Sequence, residues 1–327
     1  MRRHNVRGGS FLSIALLIGF SLGFEFPTHA KYPEQSVTLI VPYAAGGPTD
    51  VACRTLAEVA KERLGQPVVI SNKPGAASAV AMGVLKNAKP DGYTLGATSA
   101  GAILSPHLQG ANYHFMDDFV HILQFETHIL GLTVRAGSPW KDLKELLDQS
   151  RKETIVYAAT PPGTPNHLSM EQLAYVNQGK VRVLPTQGDA ESVNLLLGKN
   201  VEAMVTTLMA AAPHIKSGGL RCLVLFSEQR MGQFPNIPTA KELGYDIGTL
   251  GDGGFVGIAA PKGTPRDIID RIHDVFRDSL KDSKLIETMG NLFMPVTYRG
   301  KEEWIRYLKR WEKEQLEVIK RLGLIKQ

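Results

Sequence analysis

Short apolar runs alternate with amphipathic stretches along the first third of the chain. VTLIVPY at 37–43 has the length and composition of a buried strand, and TDVACRTLAEVAKERL at 49–64 places apolar residues near one helical face. PVVISN, GAASAVAMGVLKNA and YTLGATS continue the pattern as a strand, a helix and a strand. Alternation at this spacing predicts an α/β unit built on a largely parallel sheet.

The same alternation begins again after the apolar segment HILGLTV at 128–134. GSPWKDLKELLDQS opens with Ser138 and Pro139, which suit an N-cap and a first helical position. Strands in TIVYAA, KVRVLPT and VEAMVTT then alternate with helices in NHLSMEQLAYVN and AESVNLLLG. Because these strands start a new run, we expect a second sheet rather than an extension of the first.

The C-terminal part returns to the first unit in this prediction. GGFVGIAAP reads as another apolar strand, and two amphipathic helices follow it with no evident partner sheet of their own. The predicted organisation is therefore lobe 1 at 31–130 together with 255–327, and lobe 2 at 131–254. Trp304 and Trp311, seven residues apart in the last helix, are expected to pack in the core.

The first 30 residues are typical of an export signal rather than of the folded body. Arg2, Arg3 and Arg7 precede the apolar FLSIALLIGFSLGF, and PTHA ends in the small residue Ala30. We expect removal of this leader near Ala30, with an uncleaved anchor as the alternative. In both cases we expect the body of the protein to face the outside of the inner membrane, in the periplasm.

Charge and cysteine content exclude several classes of protein. The net charge of +5 includes three arginines and Glu25 in the leader, which leaves about +3 for the mature chain. This mild charge, with no basic run among aromatic residues, argues against nucleic acid as a partner. Cys53 and Cys222 each lie in an apolar periodic segment, so buried free thiols are favoured over a disulfide.

Turn-forming residues fill the junction AAGGPTD at 44–50, between the first strand and the first helix. Pro48 suits the first helical turn, which makes Gly47 the N-cap. Because Gly46 and Gly47 have no side chains to cover the free amides, the helix N-terminus can meet an anion, and Thr49 adds a hydroxyl. The alternative is a tight structural turn in which Asp50 only caps the helix.

A matching junction, TPPGTPNH at 160–167, follows a strand of the second unit. Thr160, Gly163 and Thr164 supply hydroxyls and bare amides, and His167 stands near the start of the next helix. Ligands of open α/β sheets bind at the carboxyl ends of strands. The two loops together therefore predict a site for a small anionic ligand between the two units.

The sequence gives weaker support for a catalytic, nucleotide or metal site. No nucleophile motif such as G-x-S-x-G accompanies His167, so a polar contact is favoured over a general base. The loops also lack a phosphate-loop lysine, which argues against nucleotide binding. His107, His114, His121 and His128 recur every seven residues, but Pro106 and Gly110 prevent one continuous helix. We interpret this spacing as coincidence rather than a metal site.

Several ordered motifs resemble one family over most of the chain. YPEQSVTLIVPYAAGGPTD, LGQPVVISNKPGA, PDGYTL, GTPNHL, PNIPTAKELGY and AAPKGTP are similar to the landmarks of the Bug family, the periplasmic solute receptors of tripartite tricarboxylate transporters. The resemblance runs from about residue 32 to beyond residue 265. It implies a two-lobed periplasmic binding protein of the type II-like, Venus-flytrap kind, with two mainly parallel sheets and flanking helices.

The resemblance also implies a function and a set of ligand contacts. The protein would capture a small organic carboxylate without catalysis, cofactor or metal and deliver it to membrane permease subunits, with closure about 128–134 and 254–260. The predicted ligand-binding residues are Tyr43, Ala45, Gly46, Gly47, Thr49, Asp50, Thr98, Ser99, Thr160, Gly163, Thr164, His167 and Thr206.

Departures from the family pattern leave the ligand open. Ala77 and Ser78 stand where the family usually has paired glycines, Gln187 where a lysine is common, and Glu202 where aspartate is usual. Two other functions remain as alternatives at this stage. One is an adaptor that presents its ligand to a membrane sensor kinase, and the other is an exported hydrolase that uses His167.

Overall fold

Two sheets with flanking helices organise the chain. The computed structural model describes Met1 and residues 32–325, so the predicted leader and its cleavage near Ala30 lie outside the described residues, apart from Met1. Pro33–Gln327 form one compact unit. The strands are β1 (Val37–Val41), β2 (Val68–Asn72), β3 (Thr94–Thr98), β4 (Phe119–His128), β5 (Leu130–Arg135), β6 (Ile155–Ala159), β7 (Val181–Pro185), β8 (Ala203–Thr207), β9 (Leu220–Phe226), β10 (Gly254–Pro261) and β11 (Val296–Arg299). The helices are α1 (Pro48–Leu64), α2 (Ala79–Lys86), α3 (Ala100–Gln109), α4 (Leu143–Lys152), α5 (Pro165–Val176), α6 (Asp189–Leu197), α7 (Leu208–Lys216), α8 (Arg266–Ser279), α9 (Ser283–Asn291) and α10 (Lys301–Arg321).

Both sheets are mixed. The first has the order β11-β4-β10-β3-β1-β2 and the second the order β7-β6-β8-β5-β9. In the first sheet β1 pairs in parallel with β2 and β3, and in the second β6 pairs in parallel with β7 and β8. The other pairs are antiparallel. The predicted two-sheet α/β fold is confirmed. Most strands of each sheet run in one direction, and the sheets are mixed because β10 and β5 run antiparallel to the strands beside them.

The apolar segment predicted at 128–134 divides between the two sheets. β4 ends at His128 in the first sheet and β5 begins at Leu130 in the second, so the chain crosses at Ile129. Leu130 pairs with Thr207, and the Leu208 amide donates to the Ile129 carbonyl over 2.7 Å. Since β4 runs in the same direction as β3, this crossing brings the carboxyl ends of β3 and β8 to the same region of the molecule.

The helix α4 begins later than its sequence predicts. The Asp142 side chain, not that of Ser138, caps α4 by accepting from the Glu145 amide over 2.9 Å, while Glu145 accepts from the Lys141 amide over 2.6 Å. This reciprocal arrangement resembles a capping box and satisfies free amides of the first turn. The prediction of Ser138 and Pro139 as the helix start is therefore wrong.

The segment before α2 is left-handed rather than helical. Ala76, Ala77 and Ser78 have φ angles of 45°, 45° and 81°. Such conformations cost non-glycine residues about 1–3 kcal/mol each and persist where the surroundings enforce them. The helix predicted from Gly75 therefore begins only at Ala79.

The C-terminal helix packs on the first sheet through aromatic residues. Trp304 and Trp311 are fully buried, and their rings lie edge-on to Phe255 of β10, with centroid distances of 5.1 and 5.4 Å. This confirms their predicted packing role. Cys53 and Cys222 are buried and free, as the sequence indicated.

Candidate functional site

Asp50 fixes the shape of the loop between β1 and α1. Its Oδ2 accepts from the Gly46 amide over 2.8 Å and from Arg54 Nε over 2.9 Å, and its Oδ1 accepts from Asn72 Nδ2 over 2.8 Å. Burial works to raise the pKa of Asp50, but these hydrogen bonds and the Arg54 charge outweigh it and lower the pKa. Both carboxylate oxygens are thus used within the protein, which fits a positioning role better than the predicted ligand contact.

The N-terminus of α1 is open. Gly47 is the N-cap, with φ of −75° and ψ of 166°, and no side chain of the described residues caps this helix. Ala45 and Gly46 before it are exposed. Free amides at a helix N-terminus carry partial positive charge. This end of α1 is therefore suited to an anion.

Three hydroxyls meet beside this loop. Tyr43 Oη lies 3.0 Å from Ser99 Oγ, Ser78 Oγ lies 3.2 Å from Ser99 Oγ, and Ser78 donates to Tyr43 Oη over 3.5 Å. Ser78 and Ser99 are the N-caps of α2 and α3, yet neither side chain caps its helix. Thr98 Oγ1 is buried without a hydrogen-bond partner among the described residues. Ser78 lies beside predicted site residues. The sequence did not predict this position, because it depends on a strained backbone conformation.

The second loop holds itself in place through its own side chains. Thr164 is the N-cap of α5, but its hydroxyl lies 2.8 Å from Thr160 Oγ1 and donates to the Pro161 carbonyl over 2.9 Å. The Gly163 amide donates to His167 Nδ1 over 3.3 Å. Burial lowers the pKa of His167 to about 4, so its ring is neutral at pH 7 and accepts this bond.

A buried acid and a histidine lie at the crossing between the sheets. His128 Nδ1 is 2.7 Å from Glu126 Oε1, within ion-pair distance but outside hydrogen-bond geometry, and His128 Nε2 is 3.2 Å from Thr49 Oγ1. Glu126 is fully buried. The seven-residue spacing indicates His128 only as one of four histidines. The available signal was a glutamate two positions before a histidine, near the end of a strand-like segment.

On the second-sheet side, Asp189 organises the strand ends. Its Oδ2 accepts from the Thr207 amide over 2.9 Å and from the Thr207 hydroxyl over 2.5 Å, and its Oδ1 accepts from Asn166 Nδ2 over 3.3 Å. Burial raises the pKa of Asp189 against these hydrogen bonds. Thr206, a predicted contact on β8, is buried, and its hydroxyl has no hydrogen-bond partner in the described part of the chain.

The two halves of the site approach each other at Gly163, where an added Cβ would lie 2.1 Å from Leu108 Cδ1 of α3. Within the first half, Thr49 contacts His128 beside the crossing. The loop from Tyr43 to Asp50 and the loop from Thr160 to His167 therefore both lie at strand ends near the crossing.

A cavity lies away from these strand ends. It encloses about 780 Å³ and is lined by residues such as Asp142, Arg151, Leu223 and Tyr245, and none of the predicted ligand contacts lines it. The Arg151 and Asp148 side chains on its wall are already paired with each other at 2.9 Å. The open helix N-terminus and the unpaired buried hydroxyls favour the strand ends as the functional site over this cavity.

The histidine series does not form a metal site in the described part of the chain. His107 lies on α3, His114 in a loop, and His121 and His128 on β4. Residues 32–325 contain no cluster of three or more histidine, cysteine or acidic side chains suited to a metal ion. Across the same residues, no helix has both the length and the apolar character needed to span a bilayer.

Comparison with known proteins gives one consistent family. A family model described as the tripartite tricarboxylate transporter family receptor matches residues 52–324. The UPF0065 protein in the gbd 5' region of Cupriavidus necator is 31% identical over 330 residues, which cover 99% of each chain. The solved periplasmic binding protein BugD is 31% identical, with a TM-score of 0.79 over 90% of this chain and 100% of that one. Malate-bound MatC from Rhodopseudomonas palustris is 26% identical, with a TM-score of 0.73 over 86% of this chain and 99% of that one.

Proposed function

The chain belongs to the tripartite tricarboxylate transporter receptor family, and on that premise we propose that it captures a small organic carboxylate at the strand ends of its two sheets. Membership confirms the resemblance to the Bug family. The protein is a solute-binding receptor and not an enzyme. His167 accordingly acts as a structural contact for the second loop, not as the base of a hydrolase.

One combination carries the proposal: α1 and α5, the helices that follow the two loops, begin without a side-chain cap from the described residues, and buried hydroxyls at the ends of β3 and β8 have no hydrogen-bond partner there. An open helix N-terminus stabilises a carboxylate through its free amides and its positive end. The unpaired hydroxyls of Thr98 and Thr206 add two donors. MatC, a structure with the same fold, is solved with malate, which supports a carboxylate as the ligand class.

The course of the chain supports closure of two lobes over the ligand. All strands of the second sheet lie between Leu130 and Phe226, and the strands of the first sheet lie on both sides of that segment. We therefore propose lobe 1 at 31–130 and 255–327, lobe 2 at 131–254, and a hinge near 128–134 and 254–260. Contacts to both loops would exist only in the closed form, so the ligand selects closure.

As a receptor of this family the protein acts in the periplasm. We infer that the first 30 residues are the leader and that it is removed near Ala30. The apolar run with preceding arginines supports this inference. The proposed partners are the membrane permease subunits of a tripartite transporter, which would receive the ligand from the closed form.

Gly47 offers a sharp test of the open helix N-terminus. Its φ of −75° is accessible to any residue, and an added Cβ would lie 3.4 Å from the Ala44 carbonyl oxygen. Gly47→Asp supplies a capping side chain, which is at worst neutral for stability, and places a negative charge where the carboxylate would lie. We expect unchanged or higher thermal stability and at least tenfold weaker carboxylate binding.

The measurement is thermal shift and calorimetric titration of dialysed protein against malate and other mono-, di- and tricarboxylates. Gly47→Asn is the matched control, because it caps the helix without the charge. Loss of binding in Gly47→Asp with smaller loss in Gly47→Asn supports an anion at α1. Absence of binding by every carboxylate tested would contradict the proposed function.

A further inference from the structure

Glu126, His128 and Thr49, here called the crossing triad, connect the first sheet to the N-terminus of α1. The contacts measure 2.7 Å from Glu126 Oε1 to His128 Nδ1 and 3.2 Å from His128 Nε2 to Thr49 Oγ1. The His128 side chain is 13% exposed. Added Cβ atoms at Gly253 and Gly254 would lie 2.3 Å from the His128 carbonyl oxygen and 3.3 Å from its Cβ. The start of β10 therefore encloses His128, and the ring is held between its two partners.

The proton on His128 Nε2 determines what the Thr49 hydroxyl offers to a ligand. A hydroxyl has one proton to donate and two lone pairs that accept. When Nε2 carries a proton, it donates to Thr49 Oγ1, and the Thr49 proton is free to donate to a carboxylate. When Nε2 is bare, Thr49 must donate to it, and the oxygen then presents only lone pairs, which repel an anion.

We propose that Glu126 and His128 hold a proton that keeps the Thr49 hydroxyl available as a donor to the ligand carboxylate, so that carboxylate affinity depends on pH. The proposal rests on the proposed function and names His128 as a positioning residue for that site. Both arrangements of the shared proton have the same effect. Nε2 bears a hydrogen when imidazolium lies beside the Glu126 carboxylate, and also when imidazole protonated on Nε2 lies beside the neutral Glu126 carboxyl group.

The surroundings of the pair favour retention of this proton. Burial works against a charge on His128, but the carboxylates of Glu126 and Asp189 outweigh it and raise the pKa of His128. Burial also raises the pKa of Glu126, against the opposing effect of His128. The Cys53 thiol on α1 interacts with Glu126, and burial raises its pKa well above the ordinary value, which leaves it neutral. Two interacting groups of this kind titrate as one unit.

The experiment measures carboxylate affinity and the protonation of His128 on the same samples. Malate, or the panel member with the largest thermal shift, is titrated by calorimetry from about pH 6.5 to 9.5, where ligand carboxyl groups stay ionised. Imidazole protonation is followed by NMR of protein with labelled histidine. In wild type we expect affinity to fall about tenfold as His128 loses its proton, the effect of losing one donor to a charged acceptor.

Variants separate positioning from a merely structural role. Glu126→Gln removes the charge that stabilises the proton, so the midpoint of His128 and the fall in affinity should move together to lower pH. Thr49→Val should bind about tenfold more weakly at low pH and show no step with pH, while Thr49→Ser should restore both. His273→Gln is the control, because this histidine lies on α8, 3.1 Å from Asp274 Oδ1, and should behave as wild type.

Each outcome of these measurements either supports the proposal or overturns it. Coincident midpoints in protonation and affinity, shifted together by Glu126→Gln and abolished by Thr49→Val, support the proposal. Affinity that stays constant while His128 titrates overturns it, as does a His128 that shows no titration in either wild type or Glu126→Gln. If no carboxylate binds at any pH, the proposed function itself fails. That result is distinct from binding without pH dependence.

Discussion

At the scale of single residues, His167 makes the stability of the protein depend on pH. The residue is 3% exposed, and burial lowers its pKa from 6.5 to about 4. The unfolded chain therefore binds a proton near pH 6.5, and the folded protein binds it only near pH 4. Stability falls as pH drops through this window, by at most about 1.4 kcal/mol per pH unit and about 3 kcal/mol in all.

Replacement of His167 should remove this dependence. In His167→Gln we expect a smaller loss of unfolding free energy between about pH 7 and pH 4.5 than in wild type, measured by urea denaturation at several pH values. His214→Gln, at a partly exposed position on α7, is the matched control. Identical pH slopes in the two variants would show that His167 does not remain neutral in the folded protein.

Local pattern was enough to find some site residues and not others. Gly47 and Thr164 were predicted because each stands at a junction of strand and helix, which neighbouring residues define. The contact of Thr49 with His128 joins positions 79 residues apart and depends on the crossing at Ile129. Ser78 likewise depends on a left-handed backbone that its residue type does not favour.

At the scale of elements, the structure and the sequence prediction disagree on where α4 begins. The structure assigns the cap to Asp142, whose side chain accepts from the Glu145 amide. Asp142→Ala should lower the free energy of unfolding by about 1 kcal/mol, the usual effect of losing a cap, and leave carboxylate affinity unchanged. Urea denaturation measures the first quantity and calorimetry the second.

Ser138→Ala is the natural comparison for Asp142→Ala. Among the described residues, Ser138 Oγ accepts only from the Trp140 amide, over 3.4 Å, in a turn before the helix. We expect a change within about 0.5 kcal/mol for this variant. A larger loss of unfolding free energy in Ser138→Ala than in Asp142→Ala would indicate that α4 begins at the position that the sequence predicted.

Most elements of both sheets follow from alternation, because a buried strand and an amphipathic helix each have their own periodicity. The elements that pattern did not identify include β11, α9, α7 and β9. β11 is a short edge strand that pairs with β4 only at Val296 and Arg299. Its placement depends on the exposed edge of β4, which no local feature of VTYR specifies.

At the scale of the whole molecule, two passages of the chain between the sheets set the architecture. The first is at Ile129, and the second is the long segment between β9 and β10. The sequence predicted that the tail returns to the first unit, since its helices had no evident partner sheet of their own. It did not predict that β10 inserts between β3 and β4, which makes the first sheet mixed.

The end of α10 forms a contact between the helices of the two sheets. Most of α10 packs on Phe255 of the first sheet. The Arg321 guanidinium, however, lies 3.8 Å from the ring centroid of Tyr175 on α5 and donates to the Gln172 side chain. If the lobes close as proposed, this contact joins them outside the ligand site.

Arg321→Ala should therefore weaken ligand binding without touching the ligand. An exposed cation–π contact contributes about 0.5–1 kcal/mol, so we expect affinity to fall about two- to fivefold, chiefly through faster release. Arg310→Ala is the control, because its guanidinium lies 5.6 Å from the Tyr307 ring on the same helix. Stopped-flow release of the carboxylate distinguishes the two variants. Equal release rates in both would mean that the Arg321 contact does not stabilise the closed form.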